Sequence, residues 1–224
     1  VTTRFEGEVK YFHSTDGVTF ENGLPVNAGT YTIKVVSSSL GGNYEEDSAT
    51  ARATVFKACL TAIPNAGSLV YGSTFTGGFG YSLSGFMNGD TASVVSDGGV
   101  TYSLTSSPAR LTVGTVYKFV LDSKTVNVDG TNRKVVNGLS AENYYIVTAE
   151  GKLEITKKSI VVSLGTASSR FSDPINLDGV EVTTAENAFA FADESVESLG
   201  LTLATTARPL SHVGGYPIFV EAYT

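Results

Sequence analysis

A chain of 224 residues that is 42% hydrophobic, rich in Gly, free of Trp and reliant on 11 Tyr and 12 Phe for its large apolar groups is no disordered segment. It has the content for real cores and the length for one large or two ordinary domains. Its 22 acidic against 15 basic residues give a net charge of −7, which repels a phosphate backbone, and pairs such as Arg133-Lys134 and Lys157-Lys158 make no basic stripe, so no nucleic-acid partner is expected.

Strands separated by turns begin at once. Glu8-Val9-Lys10-Tyr11-Phe12 alternates as a strand, and Ser14-Thr15-Asp16-Gly17 carries the Asp-Gly hairpin signal, from which Val18-Thr19-Phe20 is expected to return. Glu21-Asn22-Gly23 turns again, and Gly29 to Val35 is a strand with Tyr31, Ile33 and Val35 on one face. Gly41-Gly42-Asn43-Tyr44 follows, then the alternating run Ala49 to Val55.

Cys59-Leu60-Thr61-Ala62-Ile63 opens the next stretch, where Cys59 reads as a small buried hydrophobe. Val70-Tyr71-Gly72-Ser73 leads to Tyr81 through Phe86, and Asn88-Gly89-Asp90 stops that strand, with Asp90 the expected N-cap of one short helical turn through Val94. Val113-Gly114-Thr115-Val116-Tyr117 repeats Ala28-Gly29-Thr30-Tyr31 with one residue added. The interval from Gly114 to Asn143 is about twice that from Gly29 to Asn43, and the surplus falls around Asp122 to Val136, whose Asp129-Gly130 centre spells a hairpin. Gly138 to Lys157 then reads strand, glycine turn, strand.

Repetition organises all of this. Asn143-Tyr144 stands one hundred residues after Asn43-Tyr44, Phe171-Ser172 one hundred after Tyr71-Gly72, and Val213-Gly214-Gly215-Tyr216 one hundred after Val113-Gly114-Thr115. The expected division is 1–57, the latter part of a first repeat; 58–157, a complete repeat with a hairpin insertion near 122–136; and 158–224, the opening part of a third. The class is all-β, read as tandem β-sandwich repeats; a β-grasp unit with one short helix is the alternative.

The ordered series Val70-Tyr71-Gly72-Ser73, Leu83 through Val94, Val113-Gly114-Thr115, Gly138 through Tyr144 and Gly151 through Lys157 resembles the MBG repeat family of large bacterial surface proteins and adhesins. The resemblance covers the central repeat fully and the flanking ones in part. It implies secreted, Ig-like modules that extend an adhesin from the cell or contribute to adhesion, with no catalytic residues and no cofactor, and with neighbouring repeats of the same or an adjacent chain as partners beside a receptor that the sequence does not name. Its signature positions here are Tyr31, Asn43, Tyr44, Tyr71, Gly72, Gly89, Asp90, Gly114, Tyr117, Asn143, Tyr144, Gly214 and Tyr216. Ser172 in the glycine position and the insertion depart from the pattern.

Individual residues add little chemistry. Tyr31, Tyr117 and Tyr216 follow a glycine at a strand entrance, as a tyrosine corner requires, but burial statistics favour plain core aromatics. His13 beside Ser14 and Asp16 has triad residue types without triad spacing, and His212 lies far away in sequence. Asp122, Asn127, Asp129 and Asn132 are the weak calcium candidates; EF-hand spacing fails because Gly130 directly follows Asp129 and no glutamate closes the loop, so a plain Asp-Gly hairpin is preferred. Glu45-Glu46-Asp47 and Asp193-Glu194-Glu197 read as solvated acidic faces. No apolar run of roughly 18 residues that could span a membrane is present and no leader is visible, so if the protein is exported its targeting and anchoring parts are expected outside this chain. A stalk or adhesive module leads; a self-assembling filament subunit completed between chains and a carbohydrate-binding module are the rivals, the second of these located at the insertion and the tyrosines.

Overall fold

The computed structural model describes residues 8–37 and 45–223, so the signature pair Asn43 and Tyr44 lies outside the described residues. There are two compact units, one drawn from within Val1–Gly67, Thr76–Ser106 and Tyr117–Leu153, the other from within Ser68–Phe75, Ser107–Val116 and Glu154–Thr224. Regular structure is almost entirely strand. Among the described residues the helical pieces are two short 3-10 turns, Ala92–Val94 and Glu197–Leu199, and neither is a helix that could cross a β-grasp sheet.

The first unit begins with an antiparallel sheet of four strands, β1 (Val9–Ser14), β2 (Glu21–Asn22), β3 (Gly29–Ser37) and β4 (Asp47–Val55), in the order β2-β1-β3-β4. The strand returning to β1 is not Val18-Thr19-Phe20 as expected but Glu21–Asn22, with His13 opposite Glu21. Asp16 explains the difference: one of its carboxylate oxygens accepts the Ser14 hydroxyl at 2.7 Å and the Val18 and Thr19 amides at 2.8 Å, which winds the chain into a wider loop. Those donors hold its carboxyl down to about 2.

Then come β5 (Ala58–Pro64), β6 (Gly67–Val70), β7 (Tyr81–Ser84), β8 (Val95–Asp97), β9 (Tyr102–Leu104), β10 (Val116–Leu121), β11 (Ser123–Val128), β12 (Thr131–Val136), β13 (Leu139–Ala141), β14 (Tyr144–Thr148) and β15 (Gly151–Thr156). They make two principal sheets, β6-β15-β10-β9 and β14-β5-β7, the latter with β14 parallel to β5. The period-two text does what it promised: in β15 Gly151, Leu153 and Ile155 are buried and the residues between them exposed. Leu60 and Ala62 of β5, Tyr144 and Ile146 of β14 and Leu121 of β10 meet in one core, so the inner faces of both sheets pack together. Leu60, Phe119, Leu121 and Leu153 have no exposed surface; each contributes about 2 kcal/mol by burial alone. Gly151 is glycine because a Cβ there would sit 2.8 Å from both the Phe119 ring and the Pro64 Cβ.

The insertion is the expected hairpin, pairing Ser123 with Val136 through Val128 with Thr131. Its two-residue turn has Asp129 at φ 49° and Gly130 at φ 81°, the left-handed pair of a type I′ turn.

The second unit holds β16 (Val162–Leu164), β17 (Val182–Thr184), β18 (Thr202–Thr205) and β19 (Ile218–Ala222). Its pairings copy those of the earlier strands. Leu104 faces Phe119 and Ser103 faces Val120 between β9 and β10; Ala204 faces Phe219 and Leu203 faces Val220 between β18 and β19, each position one hundred residues on. The antiparallel β16–β17 pair, with Ser163 opposite Thr183, likewise follows β5–β7, with Ile63 opposite Ser82, displaced by one residue. The order β1-β3-β4 of the first sheet also matches β9-β10-β15.

Candidate functional site

Three groups of signature residues are drawn into polar clusters. In the first, alternation along β14 turns Tyr144 inward to 4% exposure, beneath the turn Met87–Asp90. That turn is closed by the Asp90 amide donating to the Met87 carbonyl at 2.9 Å, with Asn88 at φ 54° and Gly89 at φ 79° between them. The Tyr144 hydroxyl donates to Asp90 Oδ2 at 2.7 Å and accepts from the Met87 amide at 3.1 Å, while Phe86 meets its ring edge-on. The hydrogen bond to the Asp90 carboxylate pushes the Tyr144 phenol up. Asp90 is therefore not the helix cap that its sequence position predicts. Thr91 caps the 3-10 turn by accepting the Ser93 amide, because the Asp90 carboxylate is engaged by the tyrosine.

The second cluster lies where the first sheet meets the central strands within the first unit. Asn143 precedes β14, and its backbone carbonyl accepts the Ala58 amide at 2.9 Å. Its side chain reaches the loop before β3: Oδ1 accepts the Ala28 amide at 2.8 Å and Nδ2 donates to Asn27 Oδ1 at 2.9 Å. The same loop is tied from behind, since the Tyr31 hydroxyl donates to the Asn27 carbonyl at 3.0 Å. The insertion hairpin adds a second strap. Asp129, at its tip, accepts the Lys57 amide at 2.8 Å, and the Lys57 ammonium donates to the Ala141 carbonyl at 3.2 Å.

In the second unit Tyr71, Gly72 and Arg110 gather on residues 190–194. The Tyr71 hydroxyl donates to Glu194 Oε1 at 2.6 Å, and Glu194 Oε2 accepts the Ala190 and Phe191 amides at 3.1 and 3.2 Å. The Arg110 guanidinium donates to Asp193 at 2.6 Å and lies 4.1 Å from the centroid of the Phe191 ring, which also meets Tyr71 edge-on. The Tyr71 hydroxyl holds the Glu194 carboxyl below its usual range, and Arg110 does the same for Asp193. Gly72, at φ +88°, leaves no room for a side chain, because a Cβ would fall 2.5 Å from that of Ala190. Ser172, one hundred residues on, takes the same left-handed conformation at φ 75°.

Several expectations are corrected by these contacts. Asp193 and Glu194 are not a merely solvated face but bind Arg110 and Tyr71; Glu197, beside them, accepts the Ser195 hydroxyl. Tyr31 and Tyr216 are hydroxyl-bonded corners rather than plain core aromatics, each donating to the carbonyl four residues upstream, Asn27 at 3.0 Å and His212 at 2.8 Å. Tyr117 is buried at its strand entrance after Gly114, which has φ 81°, whereas Gly214 is exposed. Cys59 is exposed, because strand alternation gives the inward positions to Leu60 and Ala62.

The calcium candidates are spread along the insertion hairpin. Asp122, at its base, accepts the Thr101 and Ser103 hydroxyls; Asn127 accepts the Gly130 amide and donates to Asn132 at 3.4 Å; Asp129 holds Lys57 at the tip. The six residues of β11 put roughly 20 Å between base and tip. Among the described residues no group of three or more His, Cys, Asp or Glu side chains is arranged to hold a metal ion. His13 turns to the Gly23 carbonyl and Glu21 while Ser14 turns to Asp16, so the triad residue types are not brought together. Tyr145, beside the insertion, has the Arg133 guanidinium stacked 4.6 Å from its centroid. No helix among the described residues is long and apolar enough to cross a membrane.

Sequence reasoning missed Asn27, Arg110 and Phe191. Nothing local marks them, since each acts on a residue more than eighty positions away or is acted on by one. Comparison with protein-family models, with curated proteins and with solved structures finds no match to this chain.

Proposed function

We propose that the chain is a non-enzymatic structural and adhesive segment of a bacterial cell-surface or secreted protein. In this reading it consists of tandem Ig-like β-sandwich repeats akin to the MBG type, with repeats at 1–57, 58–157 and 158–224. The observation that carries the proposal is the return of one strand register after one hundred residues, Leu104 opposite Phe119 and Ala204 opposite Phe219. A chain that rebuilds the same pairing from different side chains is selecting a backbone unit, and joined units of that kind act mechanically and present surfaces. The polar clusters at Asn143 and Glu194 support the same reading. Each spends its hydrogen-bonding capacity on protein partners from distant parts of the chain, as a joint does.

Pulling the chain by its ends in a force spectrometer tests this. Residues 58–157 should yield as one step that releases about 340 Å of contour at roughly 3.4 Å per residue. A single event for the whole chain, or none of that size, would count against tandem repeats. Turnover of a polymer substrate, abolished by changing one polar residue, would count against the non-enzymatic reading.

A further inference from the structure

The insertion hairpin β11–β12 does more than lengthen the central stretch: with the sheet β14-β5-β7 it encloses a groove. Tyr144 and Ile146 of β14 point into the core, so Tyr145 and Val147 point outward, and Cys59, opposite Tyr145 on β5, points outward beside them. The hairpin supplies the facing wall. Ser123 lies opposite Val136, and by alternation along β12 the side chains of Asn132 and Lys134 share that face. Between the two walls is an open space of about 480 Å³, within the roughly 300–1,000 Å³ of small-molecule sites. Each strand that frames it is paired within residues 58–157. The shorter interval Gly29 to Asn43 has no residues with which to build such a wall.

The charge of this groove runs against that of the chain. The protein has 22 acidic against 15 basic residues, yet among the described residues no Asp or Glu lines the groove, and its charged side chains are Arg133 and Lys134. Neither has a salt-bridge partner among the described residues. Asp129, at the hairpin tip, is turned to the Lys57 amide. Arg133 is held instead by Tyr145, its guanidinium 4.6 Å from the ring centroid. A guanidinium placed in this way keeps its N–H fork for a planar anion and loses little freedom in binding one. We propose that the groove binds a short acidic saccharide with one carboxylate on each sugar. The carboxylate meets Arg133 and Lys134, the sugar hydroxyls meet Ser123 and Asn132, and the C–H face of the ring rests on Val147. A small carboxylic acid without hydroxyls would leave the serine and the amide unused, and a neutral sugar would cover two cations without pairing them. An insertion is also where a repeat acquires binding character of its own. The inference gives the adhesive reading above a ligand class and rests on that reading for its biological sense; the site itself rests on the groove.

The test titrates the full chain with α-1,4-digalacturonate and follows the amide signals by NMR. Two comparison ligands separate the parts of the claim: α-1,4-galactobiose has the same rings without carboxylates, and glutarate has carboxylates without sugar hydroxyls. Digalacturonate should shift the signals of Arg133, Tyr145 and Val147 and should slow alkylation of Cys59, the single cysteine, by N-ethylmaleimide. Galactobiose and glutarate should each bind roughly tenfold more weakly or worse, and Arg133→Gln should weaken digalacturonate by a similar factor, as loss of a charge-assisted hydrogen bond predicts. Lys152→Gln, an exposed cation of β15 outside the groove, should change nothing. No shift in the groove, equal binding of either comparison ligand, or full binding by Arg133→Gln would overturn the proposal. So would an equal loss in Lys152→Gln, which would reduce the effect to general charge. If digalacturonate fails while the 340 Å step persists, the ligand is wrong and the repeat reading stands.

Discussion

Changing Asn143 to Ala removes two hydrogen bonds that hold the loop before β3: Ala28 N–H to Oδ1 at 2.8 Å and Nδ2 to Asn27 Oδ1 at 2.9 Å. A net intramolecular hydrogen bond stabilises by about 1 kcal/mol, and somewhat less at a half-exposed side chain such as this one, so the substitution should cost about 1.5 kcal/mol. Asn27→Ala removes only the second bond and should cost about 0.7 kcal/mol. Because Asn143→Ala has already broken that bond, the double variant should lose little more than Asn143→Ala alone, a coupling of about 0.7 kcal/mol. Urea unfolding at constant slope measures the cycle, and exchange of the Ala28 amide reports the site directly. Tyr31→Phe serves as a control, since it cuts the Asn27 carbonyl contact without touching Asn143. Additive substitutions, or an Ala28 amide that exchanges no faster in Asn143→Ala, would refute the claim that this asparagine holds the loop.

Three further outcomes are expected. Tyr144→Phe strips the Asp90 carboxylate and the Met87 amide of their shared partner and should lower Tm by roughly 2–6 °C, read by calorimetry; an unchanged Tm would mean that the hydroxyl cluster is not stabilising. Gly151→Ala drives a Cβ against Phe119 and Pro64 at 2.8 Å and should cost about 2 kcal/mol in chemical denaturation; a neutral result would show that this core yields more readily than its packing implies. Stability should also fall in acid. The carboxyls of Asp16, Asp97, Asp193, Glu194 and Glu197 all lie below their ordinary values, Asp16 at about 2, so the unfolded chain binds more protons than the folded one. Their contribution is complete above the ordinary carboxylate range and disappears as pH drops toward 2. The alkaline limit has the opposite sign: burial and Asp97 push the Tyr81 phenol up to about 12, so that contribution is intact below pH ~10 and is lost as pH climbs through 12. A Tm that stays flat from pH 5 to pH 2.5 would refute the acid half.

Strands and the insertion hairpin were legible because period-two alternation and Asp-Gly turns are local signals. β15 buries Gly151, Leu153 and Ile155 as its text requires, and Asp129-Gly130 takes the turn its residue types prefer. Where a side chain far away competes for a local group, the local reading fails. Asp90 has the right position for a cap, but Tyr144, over fifty residues later, claims its carboxylate and Thr91 caps instead. Glu194 fails in the same manner: an acidic run looks solvated until Tyr71 and two backbone amides converge on it. Distances of this kind are set by the sheets, and no window of sequence contains both partners.

The tyrosine corners expose a different limit. Burial statistics judge a tyrosine by its ring and are indifferent to where the hydroxyl goes. The information lies in the turn, because a chain that enters a strand through a glycine brings the carbonyl four residues back within reach of the phenol. Tyr31 and Tyr216 both make that bond, although the first follows Asn27-Ala28-Gly29-Thr30 and the second His212-Val213-Gly214-Gly215. Ser172 makes the same point for the backbone. It holds φ 75° where Gly72 holds φ 88°, a conformation that costs a serine roughly 1 kcal/mol and that local sequence alone would not select. At these positions the backbone path and the hydroxyl geometry recur while the side chains around them differ. The register pairs Leu104–Phe119 and Ala204–Phe219 show the same thing in the strands, where the pairing recurs one hundred residues on although one partner changes from leucine to alanine.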